Sequence, residues 1–320
     1  MSVDDSSKLI GRTAFELPRF GVGTAPLGWL YSPVSDDQAD ETLATAISSG
    51  VRYIDTAPAY GLGIAEERLG ASLMVAPSRP VISTKVGRRI VPSDVQSDFF
   101  PDAPWRKPVD AWDEAGLRAT IEDSLNRLGI DRIDIAYVHD PDDVEDLVYS
   151  TTWPALSRLR DEGLVRAIGF GMNRPEMPTR FVQRLDVDVV LLAGRYTLLD
   201  QSALVEFLPA CLENGTVAVC AGVLNTGILA NPEAANATFD YAPASDSIKR
   251  RAIAIREICA AHGVSVAAAA LQFPLRHPAV GSVVVGVRSS EEVTSNLADF
   301  SVPIPDELWA DLLEAGVIAA

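Results

Sequence analysis

The chain of 320 residues is poor in several things, and each shortage removes a class of function. It has three cysteines, Cys211, Cys220 and Cys259, with no two at metal-ligand spacing. An odd, scattered set of thiols argues against a disulfide framework or a zinc ribbon and for a reduced interior. There are three histidines, at 139, 262 and 277, so any one at a reactive position stands out. No run of 18 apolar residues occurs, so a membrane span is not expected. Basic residues number 27 against 44 acidic ones, for a net charge of −17. Nucleic acid and anionic membrane surfaces both require a basic face, and neither is expected as a partner. The opening MSVDDSSKLIGR lacks the apolar core of a secretory signal, and the expectation is a cytoplasmic protein. Finally, no G-x-G-x-x-G follows a strand and opens a helix; GLGIAE at 61–66 does not qualify, so no Rossmann dinucleotide fingerprint is present.

What the chain does have is a repeated alternation. Short, uniformly apolar runs lie at 20–24, 51–56, 80–85, 133–140, 165–171, 188–194, 216–222 and 282–287. Strands buried on both faces of a parallel sheet read this way. Helical stretches separate them, at 35–50, 113–129, 145–162, 201–213, 246–262 and 290–298, with more around 264–276 and 305–316. In 113–129, Leu117, Ile121, Leu125 and Leu128 share one helical face. Eight such units favour a closed (β/α)8 TIM barrel, with an open doubly wound sheet as the alternative. A single domain over 1–320 is expected, with residues 1–10 a loose arm. Residues 87–112, carrying four prolines and four aromatics, read as an irregular loop over the barrel mouth, in the position of a substrate lid.

Reactive groups of such a barrel sit where strands end at the C-terminal face. The second strand ends in Asp55, the third in Lys85 and the fourth in His139, and Tyr60 follows Asp55 in YIDTAPAYG. Singly these read as a helix cap, a strand-end lysine, a core histidine and a loop aromatic. Together they make an acid/base site. A free phenol, with a pKa near ~10, exchanges protons poorly at neutral pH. An adjacent ammonium is expected to lower that value, a carboxylate to keep the ammonium charged, and a neutral imidazole to direct a substrate oxygen to the phenol. Moving a proton on or off an alcohol or carbonyl oxygen needs a hydride partner that side chains cannot supply, so a nicotinamide cofactor is implied.

The segments FGVGTAPLG, RYIDTAPAYG, ISTKVGR, SLNRLGIDRIDIAYVHDP, GLVRAIGFGMN and VVVGVRSSEEVTSN resemble the aldo-keto reductase superfamily over nearly the whole chain. The resemblance implies an NAD(P)-dependent oxidoreductase with Asp55, Tyr60, Lys85 and His139 as its tetrad and Tyr60 as general acid/base. It places Gly23 and Thr24 under the nicotinamide and Asn173 on the carboxamide, and counts Asp55 among the cofactor-binding residues. Gly286, Val287, Arg288, Ser289, Glu292 and Asn296 match its adenosine-phosphate segment. Glu292 stands where members that prefer NADP have Arg; since a carboxylate repels a 2′-phosphate, NAD is expected over NADP, although Arg288 remains nearby. The chain departs from the family at the end of the sixth strand, where Ala193, Gly194, Arg195 and Tyr196 replace a Gln, and after the seventh, where Ala221 replaces a Tyr. Arg195 is read either as a compensating cofactor contact or as a salt-bridge residue.

LLAGRYTLLDQ, GVLNTGIL and VHDPDD resemble the branch that holds L-fucose or D-threo-aldose 1-dehydrogenases and pyridoxal 4-dehydrogenase. Both activities oxidise a cyclic hemiacetal to a lactone. Trp29, Tyr31, Tyr60, His139, Asp140, Asn225 and Arg195 offer the aromatic and polar mix of a sugar pocket, so the aldose is favoured over pyridoxal. A non-catalytic cofactor-binding regulatory subunit, and a metal-dependent lyase or isomerase using His139, Asp140, Asp142 and Asp143, are the rival classes. A monomer and a homodimer are both compatible with the composition.

Overall fold

The computed structural model describes residues 7–10, 13, 15–30, 32–97, 104–229, 231–234, 237–240 and 242–319. Eight parallel strands are β1 (Phe20–Gly23), β2 (Tyr53–Asp55), β3 (Val81–Pro92), β4 (Ile133–His139), β5 (Val165–Met172), β6 (Val189–Ala193), β7 (Val217–Ala221) and β8 (Val280–Gly286). Each pairs with the next, and β8 pairs with β1, so the sheet closes into the expected barrel. Closure fixes what meets at the rim: Gly286 lies opposite Gly23, Gly23 opposite Asp55, Asp55 opposite Ser83, Lys85 opposite Tyr137 and His139 opposite Gly171.

Two cores hold the barrel. Inward side chains Tyr53, Ile135, Tyr137, Ala167, Val189, Val217, Val219 and Val284 fill its interior together with Ile10, Phe15 and Leu17. Those last three come from a short antiparallel hairpin, Ser7–Leu9 with Glu16–Pro18, and the Lys8 ammonium donates to the Pro278 carbonyl. The hairpin plugs the barrel on the side away from the strand ends. Of the loose arm expected over 1–10, residues 7–10 are held by their pairing with 16–18 and by buried Ile10, and residues 1–6 lie outside the described residues. The outer core lies between strands and helices, with the helices' apolar stripes facing in.

Two barrel helices escape the sequence reading, α1 (Ile64–Met74) and α2 (Glu176–Arg184). Interior Gly70 weakens the helical signal of α1, yet a Cβ there would stand 2.3 Å from the Arg127 carbonyl oxygen. The glycine lets α1 approach Glu114–Leu128 closely. The helix expected over 145–162 is present and runs from Glu145 to Asp161, widened to a π turn at Val148–Thr152. Of the loop expected over 87–112, residues 87–92 and 106–111 are regular: β3 runs on past the barrel and pairs antiparallel with Arg106–Ala111, from Gly87 opposite Ala111 to Pro92 opposite Arg106, while 98–103 lie outside the described residues. Among the described residues no single helix is long and apolar enough to cross a membrane.

In an exposed helix, Gly→Ala stabilises by about 1 kcal/mol. Gly70→Ala should do the opposite here, lowering stability by roughly 2 kcal/mol or more because the new methyl meets backbone. Urea unfolding followed by circular dichroism measures the sign.

Candidate active site

The strand ends open into a cavity of about 890 Å3. Asp55, Tyr60, Lys85 and His139 share one wall of it, as the sequence predicts. The Lys85 ammonium donates to Asp55 Oδ2 at 2.7 Å and to the Thr56 carbonyl at 2.9 Å, and lies 4.5 Å from the centroid of the Tyr60 ring. The Tyr60 and His139 rings meet edge to face at 6.0 Å. Beneath them runs a chain of hydroxyls. Ser83 Oγ donates to Asp55 Oδ1 at 2.6 Å, so Ser83 accepts from Tyr53 Oη at 3.0 Å, and Tyr53 in turn accepts from Tyr137 Oη at 3.2 Å. A carboxylate that only accepts sets the polarity of the whole line. This underlayer was not anticipated; its signal in the sequence is a polar residue, Tyr53 or Ser83, alternating inward with Asp55 and Lys85.

Burial and charge decide the protonation states. Burial alone would lower the Lys85 ammonium, but Asp55 and Tyr60 outweigh it and the net shift is upward, so Lys85 stays charged. Burial, then Lys85 and Arg88, push the His139 imidazole well below its usual range, so it is neutral and able to donate from one nitrogen while accepting at the other. Tyr60 corrects an expectation. Burial raises its phenol more than Lys85 lowers it, and the net shift is upward from 10.0. Tyr60 is therefore a phenol, not a phenolate, at neutral pH.

The other predicted positions divide. Gly23, Asn173, Gly286, Arg288, Glu292 and Asn296 line the cavity; Thr24, Trp29, Val287 and Ser289 are not part of its lining. Thr24 is fully buried and bonds to Thr56 Oγ1 at 2.8 Å and to the Asp55 carbonyl, bracing the floor. The Trp29 indole donates to the Val34 carbonyl at 2.9 Å and lies against the Arg68 guanidinium. Ser289 caps the helix Ser290–Phe300 by accepting from the Glu292 amide. Tyr31 lies outside the described residues. Of the departures, Ala193 and Ala221 line the cavity, whereas Tyr196 is buried against Phe273 and His277. Arg195 is a salt-bridge residue, paired with Asp200 at 3.2 Å and Asp240 at 2.8 Å, and its Nε holds the Asn173 carbonyl at 2.7 Å. None of the described residues of the 87–111 hairpin lines the cavity, but Arg88, a residue the sequence reading passed over, reaches back from it. Its guanidinium donates to the His139 and Asp140 carbonyls at 3.1 and 3.2 Å. Among the described residues, no three His, Cys, Asp or Glu side chains are grouped to hold a metal ion.

The cavity fits an extended polar ligand. Its size lies within the roughly 300–1,000 Å3 of small-molecule sites. Strand-end glycines 23, 171, 222 and 286 open its wall, and Asn225 Oδ1 is buried on its lining without a hydrogen-bond partner.

Against known proteins, the model for "Aldo/keto reductase family" matches residues 19–316. A D-threo-aldose 1-dehydrogenase from a Pseudomonas species is 43% identical, over 94% of this chain and 95% of its own. A pyridoxal 4-dehydrogenase from Microbacterium luteolum is 41% identical, over 98% of each. Among solved structures, a glycerol dehydrogenase from Gluconobacter oxydans superposes with a TM-score of 0.79 at 25% identity, over 98% of this chain and 96% of that one.

Asp140 yields a stability test. Burial first, then Asp142, raise its carboxyl from 3.8 to about 6 against the pull of Arg88, Lys85 and Asn173. The folded chain then binds that proton more tightly than the unfolded one, so the stability this group contributes is full below about pH 4 and lost as pH rises through about 6. Asp140→Asn should therefore raise Tm relative to wild type above pH 6, with the gap closing toward pH 4. Scanning calorimetry across that window reads it; a gap that does not change with pH would contradict it.

Proposed function

The chain belongs to the aldo/keto reductase family over residues 19–316, and from that premise we propose that it oxidises the hemiacetal of an aldose, such as L-fucose or another D-threo-aldose, to its lactone. We further propose NAD as the hydride acceptor and Tyr60 as the general acid/base. The observation that carries the reading is the single wall on which a charged Lys85, the Tyr60 phenol and a neutral His139 meet. The 43% identity to an aldose 1-dehydrogenase supports the sugar.

Enzymes of this family use nicotinamide cofactors, which when bound supply the acceptor for the substrate's hydride. Gly23, Asn173, Gly286, Arg288, Glu292 and Asn296 are the lining residues that would hold the dinucleotide. The rest is done by this chain. His139 donates a hydrogen bond to the anomeric oxygen and turns its proton toward Tyr60. Tyr60 accepts that proton as carbonyl character develops at the carbon. Lys85, kept charged by Asp55, stabilises the phenolate that must form first. For the cofactor's form, Glu292 takes both the Arg288 guanidinium, at 3.0 Å, and the Arg288 amide, at 2.8 Å. A 2′-phosphate would have to displace a carboxylate to reach that arginine, which supports NAD.

Purified protein with NAD, assayed side by side on L-fucose, D-arabinose and pyridoxal, tests the substrate. Higher kcat/KM on an aldose is expected; higher kcat/KM on pyridoxal, the substrate named for the relative at 41% identity, would overturn it. Tyr60→Phe should cost roughly 1,000-fold or more in kcat. Because Tyr60 is shifted upward, its basic form grows with pH: kcat/KM for oxidation should climb with a slope near 1 from pH 7 to 9. A plateau below pH 8 would contradict the role. Glu292→Ala should raise kcat/KM for NADP by roughly tenfold or more relative to NAD; comparable use of both cofactors by the wild type would refute the NAD reading.

A further inference from the structure

Asp140 has no part in the proton transfer just described, yet it is held at the reacting wall with unusual care. It follows His139 directly and lines the mouth cavity. Its backbone is in the left-handed region, at φ 41°, which non-glycine residues seldom enter and Asn and Asp enter more readily than most. Three hydrogen bonds keep it there. The Asp140 amide donates to the Gly171 carbonyl at 3.0 Å, and Arg88 clamps the carbonyls of His139 and Asp140. The surroundings hold the turn in this one conformation and so fix where the carboxylate stands.

The carboxylate itself is aimed. Oδ1 accepts from Asn173 Nδ2 at 3.2 Å, and Asn173 is in turn fixed through its carbonyl by Arg195. Oδ2 stands 3.6 Å from His139 Nε2. That is too long for a hydrogen bond, so the imidazole N–H is left for the substrate's reacting oxygen and Oδ2 is left for another donor. An anomeric oxygen held about 2.9 Å from Nε2 would bring the hydroxyl on the adjoining carbon towards Oδ2, where a bond to a carboxylate is roughly 2.6 Å long.

We propose that Asp140 is a specificity-determining residue whose carboxylate receives the hydroxyl vicinal to the reacting carbon, so that the mouth selects 2-hydroxyaldoses and rejects 2-deoxyaldoses. The inference rests on the aldose reading above and names its substrate class more narrowly. The discrimination arises because a bound 2-deoxy sugar covers this half-buried carboxylate and strips its water without supplying a donor, and an acceptor left unpaired is penalised more than a pair is rewarded. Arg88 and Asn173 act through Asp140 as positioning residues.

The test compares L-fucose with 2-deoxy-L-fucose at saturating NAD in wild type, Asp140→Ala and Asp140→Asn. Wild type should favour L-fucose by roughly 100-fold in kcat/KM. Asp140→Ala should bring the two sugars within about threefold of each other, chiefly through a gain on 2-deoxy-L-fucose with a smaller loss on L-fucose. Asp140→Asn, expected to fold at least as stably as wild type, should lower the ratio by roughly tenfold and decides the matter if the alanine variant does not fold. Equal wild-type kcat/KM for the two sugars would overturn the inference and leave the proposed activity standing. So would an equal loss on both sugars in the variants, the mark of a structural role. Turnover of neither sugar by wild type would overturn both the inference and the aldose reading.

Discussion

The buried ion pair between Lys85 and Asp55 is the constraint on which the rest of the site depends. Both side chains are out of water, and burying either charge alone would cost several kcal/mol. The pair is tolerable because each partner is otherwise satisfied: Asp55 also accepts from Ser83, and Lys85 also donates to the Thr56 carbonyl. Those partners exist only when β2 and β3 pair in register, with Asp55 opposite Ser83. Barrel closure and active-site charge are thus one problem. The pair also sets its neighbours. A fixed positive charge beside His139 joins burial in keeping the imidazole neutral, and the same charge offsets part of the burial that holds Tyr60 protonated.

A second layer of charge frames the mouth. Arg195, paired with Asp200 and Asp240, steadies Asn173; Asn173 steadies Asp140; Arg88 steadies the turn that carries both Asp140 and the end of β4. The elements involved come from β3, β4, β5 and the segment after β6, so the carboxylate's position is determined from several sides. Its ionised form works against stability at neutral pH.

Much of this was legible in the sequence, for reasons that also explain what was not. Strands buried on both faces are uniform apolar runs, so all eight were found, and strand ends converge at one mouth, so the meeting of Asp55, Lys85 and His139 on one cavity wall could be read from their positions. What sequence does not carry is the far end of a contact. Nothing near Trp29 says that Val34 takes its indole N–H, and nothing near Thr24 says that Thr56 lies under it. Gly70 reads as a helix breaker until Arg127 is seen against it. The prolines of 87–112 hid a hairpin because two of them, Pro92 and Pro108, sit within its paired strands, while the residue that matters there, Arg88, looks like any surface arginine. The upward shift of Tyr60 was missed because proximity to Lys85 is visible in a motif and desolvation is not.

The central claim is direct hydride transfer from a hemiacetal carbon, with the hydroxyl proton leaving by way of Tyr60. L-fucose carrying deuterium at its anomeric carbon tests it most directly, with the reduced cofactor, the sugar product and the water examined by NMR after turnover. One deuterium on the cofactor for each lactone formed, with a primary isotope effect on kcat/KM, is the result expected. Deuterium released to water, or a product other than the lactone, would contradict the account.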